Sequence, residues 1–185
     1  MNNNSSLSHR KEEPEKGTLY LVGTPIGNLN DISQRALNIL KNVSLVACED
    51  TRQTKKLMNK FNISNKLISF NKHNSLTKIP NIVKDLKEGK SIAIVSDAGM
   101  PGICDPGEDI AKNAKSEGID IICVPGPCAA ITALISSGLP SSSFVFEGFL
   151  PKFLIVILIG SGFLILLMER KISFREPVTM QCIWH

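Results

Sequence analysis

The sequence predicts an α/β fold in which an open parallel sheet carries helices on both faces. From Thr18 to about Gly148, short β-branched or apolar runs alternate with small-residue loops and helix-period stretches. Most of these runs are apolar throughout, as strands buried on both faces should be. With 185 residues, 43% hydrophobic and 21% charged, the chain has the size and composition of one globular domain, or of one domain and part of another.

Five apolar runs are predicted to be the strands of this sheet. In chain order they are TLYLV (18–22), VSLVAC (43–48), KLISF (66–70), SIAIV (91–95) and IDIICV (119–124). FVFEG (144–148) is a candidate sixth strand.

The stretches after these strands are predicted to be helices. The first, DISQRALNILKN (31–42), has an apolar face, and Asp31 is placed to cap its first turn. Gly89 and Gly118 follow two of the later helices, where a left-handed residue is favoured. The later helices are TRQTKKLMNKF (51–61), LTKIPNIVKDLKEG (76–89), EDIAKNAKSEG (108–118) and AAITALISSG (129–138).

The two ends of the chain differ from this α/β domain, which is assigned to residues 18–150. Residues 1–17 have no apolar core and no cleavage-type sequence, so they are predicted to be a disordered polar tail and not a secretory signal. Residues 151–185 begin with the apolar run FLIVILIGSGFLILLM (153–168) and end without a pattern. The fold is therefore expected to be followed by an atypical apolar tail.

Cysteine usage and charge limit the classes of function. The five cysteines form no CxxC pair, and no histidine stands at zinc spacing, so neither a metal site nor a disulfide framework is indicated. A reduced cytoplasmic setting fits best. The formal charge of +4 suits an anionic partner such as RNA.

Four unusual loops follow predicted strands, at the edge where an open parallel sheet binds its ligands. They are GTPIGNLND (23–31), EDTRQT (49–54), SDAGMPGICDPG (96–107) and PGPCAA (125–130). GTPIGNL lacks the G-x-G-x-x-G fingerprint and has no P-loop lysine, which disfavours a nicotinamide or nucleoside triphosphate site. A tight strand-to-helix turn is the alternative for this loop.

The loop SDAGMPGICDPG is longer than most strand-to-helix connections, which favours a functional role. The Asp97 carboxylate can accept hydrogen bonds from a ribose or an ammonium group. The backbone of Gly99, Met100 and Gly102 could line a nucleoside pocket. The alternative is that Asp97 only caps a connecting turn.

The loop EDTR places Glu49, Asp50 and Arg52 at another strand end. Arg52, Lys56 and Lys60 recur every four residues along the next helix, a stripe that could hold a phosphate backbone. The alternative is a solvated face with no ligand.

Several of these motifs together resemble the tetrapyrrole methylase superfamily. They are LYLVGTPIGNLNDIS, ACEDTR, VSDAGMPGICDPG, VPGPCAAITALISSGLP and FVFEGFLP, and they span Thr18 to about Pro151. Within the superfamily they are most similar to the enzymes that methylate the ribose 2′-hydroxyl of a cytidine in bacterial 16S ribosomal RNA.

The resemblance implies an S-adenosylmethionine enzyme with two α/β domains, usually a homodimer, that acts on 16S rRNA or the small ribosomal subunit. Its cofactor would lie between the domains. The implied cofactor-binding residues are Pro25, Ile26, Asp97, Met100, Cys128 and Ala129, and the backbone interpretation adds Gly99. Glu49 to Arg52 would lie on the RNA side, with Arg52, Lys56 and Lys60 as the candidate RNA-binding residues. Glu49 or Asp50 is the candidate general base, and an ion pair with Arg52 is the structural alternative.

The chain departs from the family after Pro151, where a polar, Lys-rich segment and a second domain are expected. The second domain is expected to be missing or replaced by a frame-shifted peptide, which would impair cofactor binding. The alternatives are a membrane anchor at 153–168 and an element that covers the first domain. Either would make the chain a non-catalytic binding module. Sixteen residues fall short of the roughly 20 that span a bilayer, so a membrane partner is not expected.

Overall fold

The structure, a computed structural model, describes residues 13–146 and 148. The chain divides into two compact units, the first ending at Pro127 and the second beginning at Cys128. The predicted apolar run at 153–168 and residues 1–12 lie outside the described residues. Within the described part, no helix is both long enough and apolar enough to span a membrane.

The first unit alternates strands and helices, as the sequence predicts. Its elements are β1 (Leu19–Val22), α1 (Gln34–Asn42), β2 (Leu45–Cys48), α2 (Thr51–Lys60), β3 (Leu67–Ser69), α3 (Ser75–Lys87), β4 (Ile92–Val95), α4 (Glu108–Ser116) and β5 (Ile121–Val124). The second unit has the predicted helix α5 (Ala129–Ser136), which buries Ala130 and Leu134.

The five strands form one sheet in the order β3-β2-β4-β1-β5, and every neighbouring pair is parallel. The predicted open parallel sheet is therefore confirmed. Because all strands run the same way, the loops that follow them leave from one edge. β4 lies between β2 and β1, so the loops after these three strands are neighbours.

Helices pack on both faces of the sheet, because successive strand residues point to opposite sides. Tyr20 and Val22 contribute to a core cluster that contains the buried hydrophobic residues of α1 and α2. Leu19 contributes to a second cluster that contains the buried hydrophobic residues of α3 and α4. The strands β2 and β4 are buried along their whole length, which explains why they read as continuous apolar runs.

Helix α1 begins later than predicted, and its cap is not Asp31. Residues 29–31 form one turn of 3-10 helix, and Ile32 is extended with φ −72° and ψ 130°. The helix begins at Gln34, where the Ser33 hydroxyl accepts a hydrogen bond from the Ala36 N–H at 3.0 Å. The prediction that Asp31 caps this helix was wrong, because the extended Ile32 moves the first helical turn to the next available hydroxyl.

The candidate sixth strand at 144–148 is not a strand over residues 144–146 and 148. A strand forms where a neighbouring strand satisfies its backbone groups, and the described residues provide no sixth strand in the sheet. Val145 and Phe146 are exposed.

Residues 13–17 of the predicted polar tail make specific contacts. The Glu13 carboxylate accepts hydrogen bonds from Arg35 Nε and Nη2 at 2.7 and 2.6 Å. The Glu15 N–H donates to the Tyr20 hydroxyl oxygen at 2.7 Å. This end of the segment therefore lies against α1 and the beginning of the sheet.

Candidate functional site

The loops after β1 and β5 meet backbone to backbone at two glycines. A methyl group on Gly126 would lie 2.8 Å from the Cα of Gly23, which is too close for any side chain. A methyl group on Gly23 would lie 2.6 Å from the Met100 sulfur. The two loops can approach this closely only because glycine occupies both positions. The Met100 side chain lies next to the same contact.

The loops after β1 and β4 are joined by a two-way backbone contact. Thr24 and Gly99 donate their N–H groups to each other's carbonyl oxygens at 2.9 and 3.1 Å. The buried Thr24 hydroxyl also donates to the Ser96 carbonyl at 3.2 Å. Gly99 has φ +82°, and a methyl group on it would lie 3.4 Å from Cγ2 of Ile26. The structure thus brings Ile26, Gly99 and Met100 together, with Pro25 buried beside them, and their role in cofactor binding stays a prediction.

The loop after β4 folds back on itself before α4 begins. A methyl group on Gly107, which has φ +151°, would lie 2.8 Å from the Gly102 nitrogen. Cys104 has the left-handed φ of +62°, which is uncommon for a residue with a side chain. Lys72, in the loop after β3, donates from Nζ to the Cys104 carbonyl at 2.9 Å. These contacts fix the shape of the loop that carries Asp97.

Asp97 connects the end of β4 to the end of β2. Its Oδ1 accepts a hydrogen bond from the Asp50 N–H at 3.1 Å. The Glu49 carboxylate lies close enough to Asp97 for the Asp97 charge to raise its pKa. Asp97 is exposed, whereas Glu49 and Asp50 are half-buried. Three acidic residues from two sequence motifs therefore form one group at the sheet edge.

The two candidate bases in this group have opposite electrostatic surroundings. Burial raises the pKa of Glu49, and the nearby charges of Asp105 and Asp97 raise it further. Burial also raises the pKa of Asp105. In contrast, hydrogen bonds from Arg52 lower the pKa of Asp50 to about 2. Glu49 is therefore the stronger base of the two.

Asp50 has the contacts of a helix cap. Its Oδ1 accepts the Arg52 N–H at 2.8 Å at the start of α2, and its Oδ2 pairs with Arg52 Nη2 at 2.7 Å. These are the contacts expected for the ion-pair alternative. The remaining residues of the predicted stripe, Lys56 and Lys60, are exposed further along α2.

Cys128 and Ala129 belong to the second unit, where Cys128 precedes helix α5 as its N-cap and Ala129 is the first residue of the helix. The Cys128 carbonyl accepts hydrogen bonds from the N–H and the hydroxyl of Thr132, both at 2.9 Å. Their role in cofactor binding stays a prediction. Across the described residues, no group of three or more His, Cys, Asp or Glu side chains is arranged to hold a metal ion.

The family model described as Tetrapyrrole (Corrin/Porphyrin) Methylases matches residues 18–173. This chain belongs to the tetrapyrrole methylase family. Two solved structures support the fold of this family member and nothing beyond it. They are uroporphyrin-III-C-methyltransferase from Thermus thermophilus (TM-score 0.51, 23% identity, 69% of this chain and 54% of that one) and cobalt precorrin-4 methyltransferase (TM-score 0.53, 21% identity, 65% and 50%).

Curated relatives of this family member carry the name Ribosomal RNA small subunit methyltransferase I. The protein from Halalkalibacterium halodurans is 55% identical over 142 residues, which are 77% of this chain and 49% of the relative. Those from Thermotoga maritima (54% identity, 74% of this chain, 61% of the relative) and Escherichia coli O157:H7 (49% identity, 77%, 50%) are similar. The chain spans about half the length of the curated relatives it matches.

Sequence reasoning missed two charged residues of this candidate site. Asp105 lies within the predicted ligand loop, and its place there was the available signal. Lys72 comes three residues after β3, and only its position beyond a strand end could have suggested a role. Both act on Glu49, since the Asp105 charge raises the pKa of Glu49 and the Lys72 charge lowers it.

Proposed function

We propose that this chain acts in an S-adenosylmethionine-dependent methyltransferase that modifies the ribose 2′-hydroxyl of a cytidine in 16S ribosomal RNA. The observation that carries the proposal is the joining of the β1 and β4 loops by Thr24 and Gly99, beside the acidic group of Glu49 and Asp97. The names of the curated relatives support the ribosomal RNA substrate. The alternative of a membrane-tethered module rests on residues 153–168, outside the described part.

The residues at this edge suit S-adenosylmethionine chemically. Ile26 and Met100 offer apolar contact. Gly99, which has a positive φ, has no side chain, so a ligand can approach its backbone closely. Asp97 has an exposed carboxylate whose Oδ1 accepts the Asp50 N–H. Among the described residues, none donates a hydrogen bond to its Oδ2. It can therefore accept a hydrogen bond from a ribose hydroxyl or an ammonium group. Pro25, Cys128 and Ala129 complete the proposed cofactor-binding set.

Glu49 is the proposed general base. The bound cofactor supplies an electrophilic methyl group on a sulfonium, so the protein contributes mainly by aligning the acceptor oxygen. A ribose hydroxyl is a poor nucleophile at neutral pH, and a carboxylate that accepts its proton assists the attack. Burial raises the pKa of Glu49 towards the useful range. Asp50 is proposed to have a structural role as the cap of α2 and no catalytic role.

Arg52, Lys56 and Lys60 are proposed to contact phosphates of the RNA, because they form a cationic stripe that begins beside Glu49. The small ribosomal subunit is the proposed partner, a homodimer the proposed assembly and the cytoplasm the proposed location. These three follow from the resemblance and from the rRNA substrate.

The cofactor assignment is tested by calorimetry of the chain with S-adenosylmethionine. We expect Asp97→Ala to weaken binding by about tenfold, the loss of one hydrogen bond to a charged group. Asp109→Ala, an exposed acid in the first turn of α4, is the matched control and should bind normally. Unchanged affinity in Asp97→Ala would contradict the placement of Asp97, and no binding by the wild type would contradict the proposal that this chain binds the cofactor.

The substrate assignment is tested with small ribosomal subunits that lack the modification. Methyl transfer should label a cytidine ribose, and Glu49→Gln should lower the rate by about 100-fold, the usual loss for a general base. Cofactor affinity should be unchanged in Glu49→Gln. A label on a base, or a rate unaffected by Glu49→Gln, would overturn the corresponding part of the proposal.

A further inference from the structure

Positive charge is concentrated in one continuous part of the chain. Between Thr51 and Lys84 there are eight Lys or Arg residues and no Asp or Glu. The remaining residues hold 13 of the 21 basic residues and all 17 acidic ones. The basic part contains α2, the edge strand β3 and most of α3. The charge of this edge is therefore strongly positive, although the whole chain carries only +4.

A groove runs along this basic edge between α2 and β3, with a volume of about 610 Å³. We call it the α2–β3 groove. Its apolar floor is formed by Met58, Ile63 and Leu67, of which the first two are buried. Its polar rim is formed by Thr51, Arg52, Lys55, Asn59, Ser64 and Asn65. The groove thus combines apolar surface with hydrogen-bonding and cationic side chains.

The rim groups differ in what they already bind. Asp50 engages Arg52 at Nε and Nη2. Asn65 donates to the Leu40 and Val43 carbonyls at 2.9 and 2.8 Å, so it is structural. Lys55, by contrast, is exposed and forms no ion pair with any residue that the structure describes. Lys55 is therefore the rim cation with no intramolecular role.

We infer that the α2–β3 groove binds a single-stranded segment of the RNA substrate, with Lys55 on a phosphate and the floor against a ribose or base. The inference rests on the proposed function. It differs from the predicted stripe, because Lys56 and Lys60 do not line the groove and Lys55 does.

The position of the groove favours RNA over another anionic partner. Arg52 belongs both to the rim and to the ion pair with Asp50, the residue after Glu49. A strand whose reacting ribose lies at Glu49 would therefore pass Arg52 and reach Lys55 along α2. No aromatic side chain lines the groove, so its contacts with the strand would be the Lys55 charge, hydrogen bonds from the polar rim and the aliphatic floor, without stacking on an aromatic ring.

The test is fluorescence anisotropy of a labelled single-stranded RNA oligonucleotide with the whole chain, over a range of salt concentrations. We expect Lys55→Glu to weaken binding about fivefold to tenfold and to lower the salt slope by about 1. Lys55→Gln should show a smaller loss in the same direction. Lys112→Glu, a matched exposed lysine on α4, should bind within about twofold of the wild type.

The outcomes separate this inference from the proposed function. An equal loss in Lys55→Glu and Lys112→Glu would overturn it, since only net charge would then matter. Polyglutamate binding as tight as RNA would overturn it in favour of an acidic polypeptide. A wild type that does not bind RNA at low salt would also overturn it and leave the S-adenosylmethionine titration standing. A Lys55 effect without cofactor binding would support the groove and contradict the proposed function.

Discussion

The carboxyl edge of the sheet has two regions that are held together in different ways. In the first, which we call the backbone corner, Gly23, Thr24, Gly99 and Gly126 join the loops after β1, β4 and β5 through main-chain atoms. In the second, which we call the charged corner, side chains of the loops after β2, β3 and β4 interact with each other and with nearby backbone groups. Its members are Glu49, Asp50, Arg52, Lys72, Asp97 and Asp105.

The two corners should therefore respond to different changes. Main-chain contacts leave no room for a new side chain, so substitutions in the backbone corner should act on the free energy of unfolding. The charged corner is half-buried or exposed, so substitutions there should change stability little and act through protonation states. The backbone corner would fix the shape of the proposed cofactor site, and the charged corner would supply its acid and base groups.

The largest effect is expected from Gly126→Ala in the backbone corner. The added methyl group would lie 2.8 Å from Cα and 2.9 Å from the carbonyl carbon of Gly23, so two loops must move apart. We expect a loss of about 3 kcal/mol in the free energy of unfolding, as for overpacked cores. Urea denaturation followed by circular dichroism measures it.

Gly118→Ala is the matched control for the glycine prediction. Gly118 has φ +71°, but a methyl group on it would meet nothing within 4 Å. Only backbone strain applies, and the expected loss is about 1 kcal/mol. Equal losses at Gly118 and Gly126 would contradict a steric origin for the backbone corner.

A smaller effect is expected from Thr24→Val, which keeps the shape and removes the hydroxyl. Thr24 is buried, and its hydroxyl donates to the Ser96 and Gly99 carbonyls at 3.2 and 3.4 Å. The loss should be about 1 to 2 kcal/mol, because a buried carbonyl loses a donor. Thr77→Val, an exposed threonine on α3, should change stability by less than about 0.5 kcal/mol in the same denaturation experiment. A neutral Thr24→Val would show that the two backbone hydrogen bonds suffice.

The sequence predicts the backbone corner better than the charged corner. Strands with continuous apolar runs and loops rich in glycine are local signals, and β1 to β5 lie within the predicted runs. Pro25, Ile26, Gly99 and Met100 come from those loops and are found together. The start of α1 was missed because the extended Ile32 separates Asp31 from the helix, a detail that helix propensity does not contain.

The charged corner depends on strand order, which a single sequence does not contain. Placing β4 between β2 and β1 is what brings Asp97 to Asp50. Lys72 reaches Cys104 across 32 residues of sequence, so no spacing rule could have linked them. The same applies to the α2–β3 groove, where Lys55 lines the rim although the i, i+4 stripe selected Lys56.

Within the charged corner, neighbouring acids should show opposite pH dependences of stability. Burial raises the pKa of Glu49 above its ordinary 4.5, so its stabilising contribution is full below 4.5 and is lost as pH rises through the raised value. Hydrogen bonds from Arg52 lower the pKa of Asp50 from 3.8 to about 2. The Asp50 contribution is therefore present above 3.8 and is lost as pH falls through about 2.

Urea denaturation of the wild type, Glu49→Gln and Asp50→Asn between pH 2 and pH 7 tests this difference. Relative to Glu49→Gln, the wild type should lose stability as pH rises. Relative to Asp50→Asn, which retains a capping side chain, it should gain stability as pH rises. If the difference in stability between the wild type and the variant changed with pH in the same direction for both variants, the surroundings assigned to one of the two acids would be wrong.

The smallest effect on stability, and the sharpest test of the charged corner, is expected from Lys72→Gln. Lys72 is exposed, and losing its hydrogen bond to Cys104 should change the free energy of unfolding by less than about 0.5 kcal/mol. Its positive charge, however, lowers the pKa of both Glu49 and Asp105, so its removal should raise both pKa values further. Carboxyl-carbon NMR titration measures each shift, with Lys112→Gln on α4 as the control. Unchanged titration of Glu49 would mean that Lys72 only fastens the loop after β4. A raised pKa of Glu49 without loss of stability would show that Lys72 sets the protonation of Glu49 independently of the folding of this edge.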